Sequence, residues 1–135
     1  MNPCVLDTDV VIAALDRSDA HHSKAARAIE RFGKDDAELL LSAVNYAESL
    51  VRPAEDPQSL RTAVGAIAAL QIRVVAPDAA IAREAARYRG LGVSLADGFA
   101  LATAGAHDAT VASFDKRVRR ALRQAGLRLD PVLAP

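Results

Sequence analysis

Cys4-Val5-Leu6-Asp7-Thr8-Asp9, near the N-terminus, is the stretch that decides the fold. Three apolar residues run into a carboxylate, as a short buried strand of a parallel sheet does where it meets a loop. The same figure recurs. Glu38-Leu39-Leu40-Leu41 runs into Ser42, Ile72–Val75 is stopped by Pro77, and Ala109–Ala112 runs into Ser113-Phe114-Asp115. Helical patterns fill the intervals. Thr8 or Asp9 is expected to cap a helix through Leu15. Asp19–Phe32 carries the stripe Ala25, Ala28, Ile29 and Phe32, with Gly33 expected to close it. Ser42 is placed to cap Ala43–Val51 ahead of Pro53, and Gln58–Leu70 reads as a third apolar helix. Asp78 caps a helix to about Arg89, Gly90 and Gly92 mark a turn, and Ser94 caps a helix through Ala104. A basic helix over Asp115–Ala125 ends at Gly126, and Leu127–Leu129 reads as a last short strand. Strands alternating with helices predict an α/β domain of three layers, with helices on both faces of a short, mostly parallel sheet.

The 135 residues, 1–135, fit one domain. Thirty alanines stand against two Tyr, three Phe and no Trp, so Ala, Leu, Val and Ile must build the core. So few aromatics argue against a binder that stacks single strands on an aromatic platform. Cys4 is the one cysteine, which rules out an intrachain disulfide and a multi-cysteine zinc site, and a small buried side chain is the expectation there. The longest run without a charge, Thr62–Ile72, is far too short to span a membrane. No basic segment precedes the first apolar run, so a cytoplasmic protein without a signal peptide is expected. Net charge is zero but uneven. Residues 1–67 hold seven basic and eleven acidic side chains, residues 68–135 ten basic and six acidic.

Four acids fall where acids are structurally inconvenient. Asp7 and Asp115 follow strands, at the end of the sheet where open α/β folds place their ligands. Glu48 lies among the apolar Val44, Ala47, Leu50 and Val51, and Asp97 is the one charge between Leu95 and Ala102. Taken singly, Asp7 or Asp115 could be a helix cap and Glu48 a surface residue. Asp97, in a helix apolar nearly all round, is expected to face the core. A buried carboxylate costs several kcal/mol unless paired or metal-bound, and no Lys or Arg lies within two residues of Asp7, Glu48 or Asp97. The fitting counterion is a hard divalent cation with oxygen ligands, Mg²⁺ or Mn²⁺. Such an ion activates water and clamps phosphate, which points to phosphodiester hydrolysis.

The order Val5-Leu6-Asp7-Thr8-Asp9, Ser42…Glu48, Ser94-Leu95-Ala96-Asp97-Gly98…Ala100 and Ser113-Phe114-Asp115 resembles the acidic motifs of the PIN domain. In length the chain is similar to the VapC ribonucleases, toxins of type II toxin–antitoxin modules. The resemblance implies a PIN-like α/β/α fold and a Mg²⁺-dependent endoribonuclease. It would cleave ribosomal or transfer RNA, leave a 5′-phosphate and so inhibit translation. It further implies a homodimer neutralised by a cognate VapB-like antitoxin. The family's acidic quartet falls on Asp7, Glu48, Asp97 and Asp115, with Asp7 and Asp97 as principal metal ligands and Glu48 and Asp115 completing the shell. Its Ser/Thr falls on Ser113, which could hold a water or an acidic neighbour. Many relatives carry Asn or Ser where this chain has Asp9. That acid could bond Ser113, cap the helix or join the metal shell.

Two other classes compete. Asp7-Thr8-Asp9-Val10-Val11 also resembles the opening of haloacid-dehalogenase-type phosphatases, with Asp7 as nucleophile. Such enzymes need a Lys ahead of a late acidic pair, and Lys24, Lys34 and Lys116 do not supply it. A non-catalytic binding module would explain Asp7 and Asp115 as caps but leave Asp97 unexplained. His21, His22 and His107 lack a paired spacing with the acids and are expected at the solvated surface. Ala66, Ala69 and Leu70 fit either core or a dimer contact. On the last helix Val118, Ala121, Leu122 and Ala125 share one face. Arg117, Arg119, Arg120 and Arg123 on its other faces are the expected contacts to RNA phosphates.

Overall fold

The computed structural model describes residues 2–133. Five strands, β1 (Pro3–Leu6), β2 (Glu38–Ser42), β3 (Ile72–Val75), β4 (Thr110–Ala112) and β5 (Arg128–Leu129), form one sheet in the order β3-β2-β1-β4-β5. Every neighbouring pair is parallel. Seven helices connect and cover them: α1 (Thr8–Leu15), α2 (His22–Lys34), α3 (Ala43–Leu50), α4 (Pro57–Ala69), α5 (Ala79–Tyr88), α6 (Leu95–His107) and α7 (Lys116–Gln124).

Strand alternation sorts the core into two halves. Cys4, Leu6, Leu39, Leu41 and Ala112 face one side and pack with Val10 and Val11 of α1, Ala28 and Phe32 of α2, and Ile67 of α4. Val5, Leu40 and Val111 face the other side, against Ala100, Leu101 and Ala104 of α6 and Val118, Ala121 and Leu122 of α7. Ile81 and Ala85 of α5 pack on Ala102 of α6. The alanines have a use here. Gly98 in α6 lies so close to α5 that a Cβ there would stand 2.5 Å from the Ala85 carbonyl oxygen. That separation is below any van der Waals contact, so glycine sets the spacing of the two helices.

The chain runs outward from β1 to β2 and β3, then returns to place β4 and β5 on the other side. The strand order therefore reverses between β1 and β4, and the crevice of an open α/β sheet lies beyond the carboxyl ends at such a point. Asp7 follows β1 and Ser113 follows β4. The topology alone brings these two segments together.

Several local expectations change. Asp7 itself caps α1, accepting from the Thr8 amide, in place of Thr8 or Asp9. Asp19 accepts from the His21 amide, which delays α2 to His22, and α2 continues through Gly33 to Lys34. Asp56 caps α4, with Pro57 in the first turn, where its missing N–H is harmless. The last apolar helix extends past Ala104 to His107, where Asp108 closes it in the left-handed conformation. Cys4 is buried, and burial pushes its thiol up to about 12, so it is an inert core residue. Leu70 packs against the core, Ala66 is half-buried and Ala69 is exposed.

Candidate active site

Asp7 is the centre of the site. It is 2% exposed, directly after the central strand β1. One carboxylate oxygen accepts from the Thr8 amide at 2.9 Å and the other from the Ser113 hydroxyl at 2.7 Å. These bonds fix the plane of the group without neutralising it. Burial raises its carboxyl to about 8, the charge of Asp9 pushes in the same direction, and Asp97 adds a smaller push. Ser113 thus holds an acidic neighbour. Its oxygen also accepts from the Asp115 amide at 3.1 Å, joining the end of β4 to the start of α7.

Asp9 lies one helical step further, half-buried. Its Oδ2 accepts from the Phe114 amide at 3.0 Å, and its buried Oδ1 has no partner among the described residues. Burial is again the main reason that its carboxyl rises, to about 6, with Asp115 and Asp97 contributing. The bond to Ser113 allowed for Asp9 is made by Asp7 instead.

Asp97 does not face the core. It is half-exposed at the third position of α6 and closes a capping box with Ser94. The Ser94 hydroxyl accepts from its amide at 3.1 Å, and its carboxylate accepts from the Ser94 amide at 3.3 Å. An apolar helix can carry this acid because the first turn of a helix leaves amides that an acid satisfies. Asp115 caps α7, accepting from the amides of Arg117 at 2.7 Å and Val118 at 3.4 Å.

Glu48 stands apart from this electrostatic group. It is exposed, and its Oε1 accepts from the Thr8 hydroxyl at 2.6 Å. Asn45, fully buried one turn before Glu48, donates both to Thr8 Oγ1 and to the Ala96 carbonyl, each at 3.1 Å. It links α1, α3 and α6 beside Asp7 and Asp97. Neither Thr8 nor Asn45 stands out in the sequence pattern, although a polar residue on the inward face of α3 is a readable sign.

The basic residues divide. Arg117, Arg120 and Arg123 are exposed on α7. Arg119 is not a free surface cation: its Nε donates to the Ser113 carbonyl at 2.8 Å and an Nη to the Leu133 carbonyl at 2.9 Å. The histidines are also less idle than expected. His21 stacks on Phe114 with ring centroids 4.4 Å apart, and His22 donates to the Ala13 carbonyl at 2.7 Å.

The donor set suits a hard cation. It consists of carboxylate oxygens, one of them buried and unpartnered, and no Lys or Arg among the described residues forms an ion pair with Asp7, Asp9, Glu48 or Asp97. Arg117 approaches Asp115 alone, at 3.8 Å. Among the described residues no three acidic, imidazole or thiol groups stand close enough to enclose one ion. The carboxylates are not collapsed into a cage.

No curated protein matches the chain significantly. Solved structures do match over nearly its whole length. VapBC2 of Rickettsia felis bound to promoter DNA aligns with a TM-score of 0.75 at 15% identity, covering 95% of this chain and 97% of that one. FitAcB of Neisseria gonorrhoeae gives 0.71 at 21% identity, with 98% and 99% covered. VapC20 of Mycobacterium tuberculosis, a toxin that cleaves the sarcin–ricin loop, gives 0.69 at 16%, with 92% and 95% covered. At such identities these likenesses establish a shared fold. The sequence itself carries the assignment further, because the model of the PIN domain matches residues 4–123, a span that begins in β1 and takes in Asp7, Glu48, Asp97 and Asp115. The chain belongs to the PIN-domain family.

Proposed function

We propose that this PIN-domain chain is a divalent-metal-dependent endoribonuclease, the toxin of a toxin–antitoxin pair acting in the cytoplasm. One observation carries the reading. Asp7 is buried at the sheet's switch point with Asp9 and Asp97 acting on it and no cation paired to it. A fold retains that arrangement when a ligand supplies the missing charge. Asp7 and Asp97 would hold Mg²⁺, or Mn²⁺ in its place, with Asp9 Oδ1 directed to the same crevice and Glu48 and Asp115 completing or orienting the set. Bound there, the ion would lower the pKa of water and draw charge from the phosphate.

The chain's own groups prepare the site. Thr8 and Ser113 hold the two oxygens of Asp7, and the Phe114 amide holds one oxygen of Asp9. Asn45 and Thr8 orient Glu48. No side chain need act as a nucleophile, so the phosphatase reading of Asp7 gains nothing from the geometry. Arg117, Arg120 and Arg123 would neutralise phosphates flanking the cleavage point, and Arg119 leaves that group because it serves the backbone. The similar structures include toxin–antitoxin complexes. They support a cognate antitoxin; in this proposal it crosses the crevice and sets an Arg against Asp7 or Asp97, and the toxin is a homodimer.

Purified protein should cleave ribosomal or transfer RNA with Mg²⁺ and not with EDTA. Asp7→Asn and Asp97→Asn should each abolish cleavage and growth inhibition while circular dichroism stays unchanged. Undiminished cleavage by both variants would overturn the metal assignment, and a monomer by light scattering at micromolar concentration would overturn the dimer.

A further inference from the structure

We propose that the cleft between α2 and the start of α7 is a binding track for single-stranded RNA beside the scissile phosphate, with the stacked His21–Phe114 pair at its site end. The proposal rests on the ribonuclease reading of the acid centre and adds a surface that the reading does not use. The cleft has a volume of about 430 Å³. Lys24, Arg27 and Arg31 of α2 line one wall, Phe114 and Arg119 the other, and Leu133 the end. No acid lines it, whereas two other grooves of the surface each contain three.

Its cations are arranged for a polyanion. Lys24, Arg27 and Arg31 recur at intervals of three and four, so they share one face of α2. They span about 10 Å along its axis, comparable with three stacked nucleotides at about 3.4 Å each. Lys24 and Arg27 form no ion pair among the described residues, while Arg31 is held by Asp35 at 3.2 Å. Arg119 is immobilised by its two carbonyls, and its charge stays fixed at the wall.

Two of the cleft's wall residues are tied to the acid centre. Phe114 lines it, and the amide of the same residue donates to Asp9. Arg119 lines it and donates to the carbonyl of Ser113, whose hydroxyl donates to Asp7. His21 covers Phe114 with its ring plane inclined by 14°, and its side chain is 52% exposed, so the stack is open to one more ring. A nucleobase is a planar ring attached to a phosphate chain. A surface that offers a stacking face followed by a row of cations fits a single strand, since bases within a duplex are not free to stack on it.

The test is fluorescence anisotropy with a labelled twelve-residue oligouridylate in EDTA, where cleavage cannot interfere. The full chain, Lys24→Gln/Arg27→Gln and His21→Ala are titrated across a salt series, with circular dichroism to check folding. The double variant should bind roughly tenfold more weakly at low salt, and its log–log salt slope should be shallower by about 1.4, or about 0.7 for each phosphate left without its cation. His21→Ala should weaken binding about fivefold or more with its salt slope unchanged, the mark of missing stacking. Unchanged affinity and slope in both variants, in a wild type that binds and cleaves RNA, would overturn the track and leave the nuclease reading standing. Variants that lose affinity for a labelled oligoglutamate peptide but not for the oligouridylate would assign the cleft to a protein partner and also overturn it. A wild type that binds through the track but cleaves no RNA with Mg²⁺ would uphold the track and remove the nuclease reading.

Discussion

The protein treats its acids in opposite ways at two places. Around the amino ends of β1 and β4, a groove of about 740 Å³ contains Asp35, Asp108 and Asp130. Two are paired with cations, Asp35 with Arg31 at 3.2 Å and Asp108 with Arg128 at 3.4 Å; the third, Asp130, is only partly buried and accepts from the Thr110 hydroxyl at 2.7 Å and the Val132 amide at 2.9 Å. Beyond the carboxyl ends, Asp7 and Asp9 receive neutral donors, and both carboxyls rise. A groove with acids is therefore not the signal of a site in this molecule. The signal is buried acid without a cation, retained at an energetic cost that pairing removes elsewhere.

The contrast breaks most decisively at Asp7. Folded, Asp7 keeps its proton to about 8; unfolded, it releases it near 4. Over that window the folded state binds more protons, so wild type loses stability as pH rises. Asp7→Asn removes the loss and retains a good helix cap. Without divalent ions its stability relative to wild type should rise as pH is raised from about 4 towards about 8. Urea unfolding across pH measures this. Added Mg²⁺ should raise the melting temperature of wild type and not that of Asp7→Asn. A flat difference across pH would show Asp7 to be an ordinary cap.

Asp9→Asn sharpens the comparison within the site. Its gain should follow the same sign but level off near pH 6, since the Asp9 carboxyl is raised less. A plateau at the same pH for both variants would mean that the pair titrates as one unit. Asn45→Ala comes next. It deprives Thr8 and the Ala96 carbonyl of a donor, which should cost about 1–3 kcal/mol. Cleavage should fall roughly tenfold while Mg²⁺ still stabilises the fold. Thr110→Val, in the compensated groove, should have the smallest effect, about 1 kcal/mol, with no change in RNA cleavage.

The sheet was legible from the sequence because each short apolar run ended at a Pro, a Ser or an acid, and alternation fixed both faces. The sequence singles out the four acids Asp7, Glu48, Asp97 and Asp115, yet the surroundings of each read differently once folded. Asp97 was expected in the core because its helix is apolar, but its place in the first turn lets it bond amides at a half-exposed position. Helical periodicity reports faces and not ends. Asp7 was explicable as a cap, and it is one, but it is also the most deeply buried acid of the set. Arg119 looked like its neighbours on α7, and only the fold shows the carbonyls of Ser113 and Leu133 within its reach. Composition counts aromatics without showing which rings meet, so it did not foretell the stack of His21 on Phe114.

Gly98 gives the molecule an uneven tolerance for change. Alanine is the chain's default filler, used at thirty positions, and a single base change converts a glycine codon to alanine. At Gly98 that change drives a methyl group into the Ala85 carbonyl. Helix α6 would have to lift, and Asp97, one residue earlier, would travel with it. The position of Asp97 is thus calibrated from behind, by a gap between two backbones, and a library of variants should show Gly98 to be intolerant even of alanine.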